Sequence, residues 1–205
     1  MIVIVDYGVG NLKSIRNMLQ KAGASAVISS EHSVIDKADK IILPGVGAFD
    51  AAVANIEKLN LRETLVKKVR RDRVPFLGIC LGMQMLGSKS EEGASTGLGL
   101  IEAEAVRFNF HENRDNLKIP HMGWNTIKVK KEGQLFRDLP EEARFYFVHS
   151  FHLQFEDKTN IVCTTDYGYE FISGIEQDNV FGLQFHPEKS HRFGLKVLAN
   201  FAELT

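Results

Sequence analysis

A thiol framed by two glycines at the end of an apolar run is the first chemistry this sequence offers. In Val74-Pro-Phe-Leu-Gly78-Ile-Cys80-Leu-Gly82-Met-Gln84, a strand-like segment gives way at Cys80 to a helix-like one. This has the form of a nucleophile elbow, in which small flanking residues let the chain turn sharply enough to lift the nucleophile above a sheet. At such a helix start, unpaired backbone N–H groups favour thiolate over thiol, and the amide of Leu81 faces a developing oxyanion. Cys80 is open to a second reading as a buried core residue, because free cysteine is among the most buried types. A base comes from the other end of the chain. Gly182-Leu-Gln-Phe-His186-Pro-Glu188 ends a strand-like run with an imidazole and, two residues on, a carboxylate able to fix its tautomer. The alternative for His186 is an ordinary surface histidine, and the presence of the elbow favours the triad. Leu43-Pro-Gly45-Val46-Gly47 is a third strand end, whose N–H groups could complete an oxyanion hole or serve only to turn the chain.

These residues need a sheet to bring them together, and the first half of the chain supplies the pattern. Short apolar runs at Ile2 to Val5, Val27 to Ile28, Ile41 to Leu43 and Phe76 to Ile79 alternate with helix-period segments from Leu12 to a stop at Gly23, from Phe49 to Leu59 and from Leu61 to Val69. That alternation predicts an α/β fold with a parallel sheet and crossover helices. In such sheets the strand ends cluster at one rim, where Cys80 and His186 would meet. Beyond polar loops at Gly87 to Gly97 and Asn109 to Lys118 the sequence is strand-heavy. Strands are expected at Ala103 to Phe108, Asn125 to Val129, Phe145 to Val148, Ile161 to Thr164, Phe171 to Ile175 and Val180 to Phe185, with a closing helix from Ser190 to Leu204. No Pro- or Ser-rich linker divides the chain, so residues 1–205 read as one domain.

Composition narrows the classes of function. The chain has 205 residues, 44% of them hydrophobic and 25% charged, as in ordinary globular proteins. The net charge of -1 gives no global attraction to nucleic acid or to an anionic membrane. Two cysteines make no disulfide framework, the opening Met1-Ile-Val-Ile-Val-Asp6 has no basic start, and no apolar run is long enough for a membrane span, so the cytoplasm is expected. Gly8-Val-Gly10 with Glu31 invites a dinucleotide reading, but Lys13 stands where the third glycine is needed. His186-x-Glu-x-x-His191 and His149-x-x-His152 do not match the H-E-x-x-H zinc spacing, so neither metal nor cofactor is expected. Cys163, inside a strand-like run, reads as packing.

Taken together, "LPGVGAF", "GICLGMQ", "HS" at His149 and Ser150, and "GLQFHPEKS" resemble the class I (triad) glutamine amidotransferases along nearly the whole chain. "DYGVGNL" and "PHMGWN" bring the resemblance close to the glutaminase subunits of imidazole glycerol phosphate synthases, which serve histidine biosynthesis. The resemblance implies a flavodoxin-like fold with a mixed, mostly parallel central sheet flanked by helices and extra strands in the second half. It implies Cys80, His186 and Glu188 as the triad, Val46, Gly47 and Leu81 at the oxyanion hole, and Gly45, Gln84, Ser150 and Phe151 near bound glutamine. Phe151 stands where the family commonly has tyrosine, which leaves it backbone contacts but no hydroxyl. The amidotransferase resemblance occupies the chain, so ammonia must pass to a second polypeptide, in this family a (β/α)₈-barrel cyclase forming a heterodimer. Asn11, Met122, Trp124 and Lys189 lie in matching segments and are candidates for the partner face; Trp124 also reads as a half-buried core aromatic and Lys189 as a solvated charge. Two other functions stay open: a free-standing γ-glutamyl or peptide hydrolase with the same triad, and a non-catalytic binding module. The peptide at Gly45 to Gly47 is a candidate gate that would align its N–H groups only when the acceptor site is filled.

Overall fold

A computed structural model describes residues 1–110 and 117–204. Its elements run β1 (Ile2–Val5), α1 (Leu12–Lys21), β2 (Ala26–Ser29), α2 (His32–Ile35), β3 (Lys40–Gly45), α3 (Phe49–Lys58), α4 (Leu61–Arg70), β4 (Phe76–Cys80), α5 (Leu81–Gln84) and β5 (Lys89–Ser90). The second half adds β6 (Glu104–Arg107), β7 (His121–Thr126), β8 (Lys128–Val129), β9 (Arg144–His149), β10 (Phe151–Gln154), β11 (Ile161–Asp166), β12 (Glu170–Gln177), β13 (Val180–Leu183) and α6 (His191–Ala202).

β1, β4 and β13 are apolar and buried at every position, the signature of strands covered on both faces. Alternate residues feed two cores. Val3, Val5, Ile41 and Leu43 pack with α3 and α4 through Phe49, Ile56, Leu61 and Leu65. Ile2, Ile4, Leu77 and Ile79 pack with α1 and α6 through Ile15, Leu19, Val197 and Phe201 on the opposite face. The main sheet has the order β2-β1-β3-β4-β13-β12-β11-β8. Pairing is parallel from β2 through to β13 and antiparallel from there to β8. Smaller sheets, β10-β6-β5 and β7-β9, complete the second half. The expected mixed, mostly parallel sheet flanked by helices is therefore present.

Some elements depart from the sequence expectation. The strand expected over Asn125 to Val129 begins earlier, at His121, and divides: β7 pairs with β9, whereas β8 joins the main sheet beside β11. β7 buries His121 and turns Met122 and Trp124 outward, so its hydrophobic alternation is inverted and gives no ordinary strand signal. β10, α2 and β5 were not anticipated, being too short to establish a period. Of the loop expected at Asn109 to Lys118, residues 111–116 lie outside the described residues.

The register sets the site. Ile79 pairs with Leu183 and Gly45 with Cys80, so the ends of β3, β4 and β13 share one rim. The elbow fits there only because two side chains are missing. A Cβ on Gly82 would stand 1.9 Å from the Leu43 carbonyl oxygen, and one on Gly78 2.6 Å from the Gly82 carbonyl oxygen. Gly82→Ala is accordingly expected to cost about 3 kcal/mol in urea unfolding, because the obstacle is strand backbone that cannot move aside.

Candidate active site

Cys80 closes β4 with φ 54° and ψ -111°, a conformation costing about 1–3 kcal/mol for a non-glycine residue. This is the strained turn expected of an elbow, and it places the sulfur at the start of α5, beside the Leu81 amide. The sulfur lies 3.9 Å from the Val148 carbonyl oxygen, and the Gln184 side-chain amide donates to it at 3.8 Å. Cys80 is 5% exposed.

His186 follows β13. Its backbone N–H donates to the Tyr146 carbonyl at 2.9 Å, and the Ser190 hydroxyl donates to the His186 carbonyl at 2.6 Å, so the residue is clamped on both sides. Nδ1 lies 2.9 Å from Glu188 Oε1, with the two side chains 2% and 1% exposed. Holding Nδ1–H against a carboxylate leaves Nε2 for chemistry. Nε2 is buried and has no hydrogen-bond partner among the described residues. Burial opposes the imidazolium, but the Cys80 thiolate and the Glu188 carboxylate outweigh burial and push the His186 pKa up to about 10.

The third strand end lies alongside. Gly45 pairs with Cys80, and the buried Tyr7 hydroxyl donates to the Pro44 carbonyl at 2.6 Å, fixing the chain just before Val46 and Gly47. Val46 is exposed, and Gly47 has φ +93° with open space where a Cβ would sit. On the other side of the elbow, the Gln84 amide nitrogen donates to the Phe151 carbonyl at 2.9 Å and to Gln184 Oε1 at 3.2 Å. The Ser150 carbonyl accepts from the Phe108 N–H at 3.0 Å. Gln184 and Tyr7 were not singled out from sequence. Gln184 carried a legible signal, a polar residue between apolar neighbours in a strand extension, and it is fully buried.

Met122 and Trp124 are 62% and 46% exposed. Trp124 stacks on His191 with ring centroids 5.3 Å apart, and Lys189 Nζ sits 5.4 Å from the Tyr146 ring centroid. Trp124 also meets Tyr146 edge-on, so these residues form one surface patch. Asn11 precedes α1, which packs against the turn holding Lys189. Cys163 is fully buried, and burial pushes its thiol up to about 12, in keeping with packing. Among the described residues no cluster of three or more His, Cys, Asp or Glu side chains could hold a metal ion, and no helix is long and apolar enough to cross a membrane.

Residues 3–204 match the model of the class-I glutamine amidotransferase family. The chain is 50% identical over 201 residues to imidazole glycerol phosphate synthase subunit HisH 2 of Methanococcus maripaludis, covering 98% of each chain. It is 48% identical over 204 residues to the protein of the same name from Pseudomonas aeruginosa, covering 100% of each. Among solved structures, that of PurLQS from Thermotoga maritima contains a chain that superposes with a TM-score of 0.68 at 22% identity, over 98% of this chain and 96% of that one. This last likeness speaks for the fold.

Replacing the thiol tests the electrostatics directly. Cys80→Ala removes the thiolate that raises the imidazole, leaving burial opposed by Glu188 alone. The His186 titration, followed by NMR, is expected to move down by about one pH unit or more; an unmoved titration would show that the two side chains do not interact.

Proposed function

Because the chain belongs to the class-I glutamine amidotransferases, we propose that it is the glutaminase subunit of an imidazole glycerol phosphate synthase. It hydrolyses glutamine and delivers the ammonia to a synthase partner. The observation that carries the catalytic assignment is the strained Cys80 elbow at the end of β4, next to strand β13, which is followed by a buried His186–Glu188 pair.

In this mechanism the Cys80 thiolate attacks the carboxamide carbon of glutamine. The resulting oxyanion is met by the N–H of Leu81 and by N–H groups of the Val46–Gly47 segment. His186 gives its proton to the departing nitrogen, so ammonia leaves and a γ-glutamyl thioester remains. Water then attacks the thioester, with His186 accepting its proton, and glutamate leaves as the thiolate is restored. Glu188 keeps the imidazole in the required tautomer throughout. Glutamine lies against Gly45 and the Ser150–Phe151 backbone, whose Phe151 carbonyl is held by Gln84. The open space around Gly47 leaves the oxyanion peptide room to rotate, which suits a gate that keeps idle glutamine turnover low.

Ammonia released into water would become ammonium and lose its lone pair, so it must be handed over directly. The partner in this reading is a (β/α)₈-barrel cyclase in a heterodimer. It combines ammonia with a phosphoribulosyl-formimino carboxamide ribonucleotide, yielding imidazole glycerol phosphate and an aminoimidazole carboxamide ribonucleotide. Met122, Trp124 and Lys189, with Asn11, make up the face presented to it; the exposed aromatic and the sulfur side chain suit the centre of an interface. Residues 1–205 act as one amidotransferase domain, working in the cytoplasm without a cofactor.

Cys80→Ala is expected to lower glutamine-dependent synthesis at least a thousandfold or so while synthesis from ammonium salts continues in the reconstituted enzyme. Loss of both activities would refute this division of labour. Glutamate release by the isolated chain, if as fast as in the complex, would favour a free-standing hydrolase.

A further inference from the structure

Behind the glutamine site lies a run of polar side chains, two buried histidines and a half-buried asparagine, that the mechanism does not use. Asn125 and His121 come from β7, and His149 ends β9 directly opposite His121 in the strand pairing. His121 Nδ1 is 3.1 Å from His149 Nε2, and His149 Nδ1 is 2.8 Å from the Phe151 carbonyl oxygen. Asn125 Nδ2 is 3.3 Å from His121 Nε2.

The direction of every proton in this run follows from its ends. Asn125 Oδ1 accepts from the Thr126 N–H at 2.8 Å, and Nδ2 donates to the Asp166 carbonyl at 2.9 Å, so the amide cannot be turned over without losing both bonds. Its remaining N–H points at His121 Nε2, which must therefore be bare. A neutral His121 then carries its proton on Nδ1 and donates it to His149 Nε2. His149 in turn carries its proton on Nδ1, where the only acceptor required is the Phe151 carbonyl. From the opposite end the answer is the same, because a carbonyl can only accept. Burial keeps both rings neutral: it lowers the His121 pKa to about 4 and holds His149 well below its ordinary value, with the neighbouring His121, His152 and His186 acting in the same direction on His149.

We infer that His149 and His121 are positioning residues for glutamine, fixing the Ser150–Phe151 backbone through a one-way hydrogen-bond chain from Asn125 to the Phe151 carbonyl. This rests on the functional reading above, in which glutamine lies against that backbone. The Phe151 carbonyl accepts from His149 on one side and from Gln84 on the other, at 2.8 and 2.9 Å. Two donors on one oxygen fix the peptide plane, and so the direction in which the neighbouring backbone groups face the substrate. Aromatic packing holds the relay laterally: His149 lies against Phe108 and Phe171 at centroid distances of 5.2 and 5.1 Å, and His121 stacks on Tyr167 at 4.0 Å.

The experiment has a spectroscopic arm and a kinetic arm. Nitrogen-15 NMR of the wild-type chain at neutral pH is expected to show both rings as neutral Nδ1–H tautomers, the less common form in solution; an Nε2–H or doubly protonated ring at either position overturns the chain. For the assembled synthase, His149→Phe preserves the ring packing but removes the donor, and His149→Asn retains a donor in the Nδ1 position. His149→Phe is expected to raise the KM for glutamine about tenfold with a smaller change in kcat, and His149→Asn to restore KM to within about threefold of wild type. Equal KM values in all three, or no recovery in His149→Asn, overturns the positioning role. Should His149→Phe not fold, the tautomers and the KM of His149→Asn decide. Failure of the wild-type synthase to use glutamine would instead sink the functional reading and the positioning role with it, while the tautomers still report on the chain.

Discussion

The hydrogen-bonded register between the parallel strands β4 and β13 is the constraint on which the site depends. Ile79 sits against Leu183, so the residues that follow emerge side by side at one edge of the sheet although they come from opposite ends of the chain. A shift of one residue in either strand would turn Cys80 or His186 toward the other face. The register is well protected. Every residue of β4 and β13 is buried, and their side chains enter cores on both faces, so a slip would exchange the contents of both at once. The same rim carries the end of β3, held at Pro44 by Tyr7. Cys80, His186 and the Val46–Gly47 segment are thus brought to one rim because three neighbouring strands stop at the same level.

The local costs fall where chemistry would need them. A positive φ at Cys80 and two glycines that admit no Cβ are unfavourable or restrictive features, and they coincide at the elbow. His186 Nε2 and Glu188 Oε2 are buried without partners among the described residues. An unpaired buried polar atom costs about 1–3 kcal/mol, and in the proposed mechanism Nε2 is the atom that exchanges a proton. Around them the polar groups are closely accounted for. Gln84 holds the Phe151 carbonyl and Gln184, Gln184 reaches the Cys80 sulfur, and Ser190 ties His186 to its own backbone. A satisfied surround with a few unsatisfied atoms at its centre is the arrangement expected when rigidity serves reactivity.

What could be read from the sequence divides along physical lines. Continuous apolar runs such as Ile2 to Val5 and Phe76 to Ile79 announce buried strands, and the ten-residue helices α1, α3 and α4 follow from their own periods, so the parallel part of the sheet was legible. Cys80, His186 and Glu188 stand out as candidates because each lies in a local pattern with a chemical reason. Their juxtaposition was not written in spacing; it came from the rule that strand ends share a rim, and from family resemblance. Tyr7 and the His121–His149 pair were missed for a different reason. Their partners are carbonyls and side chains far away in the chain, and no local period records such pairings. The aromatic packing of Phe108 with His149, His152 and Phe171 is likewise tertiary.

β7 shows why polarity alone misleads in such a protein. Its inward side presents His121 and Asn125, while Met122 and Trp124 face out, the inverse of an ordinary half-buried strand. An inverted strand is stable only if its inward polar groups are paired, and here both are: the half-buried Asn125 with Asp166, Thr126 and His121, and the buried His121 with His149. The outward side is then free to carry apolar surface that the isolated chain leaves in water. Exposed Trp and Met beside a stacked His191 and a Tyr146 capped by Lys189 are costly unless something covers them. A single strand thus carries a polar chain beneath it, which runs on to the Phe151 carbonyl, and an uncovered apolar face above.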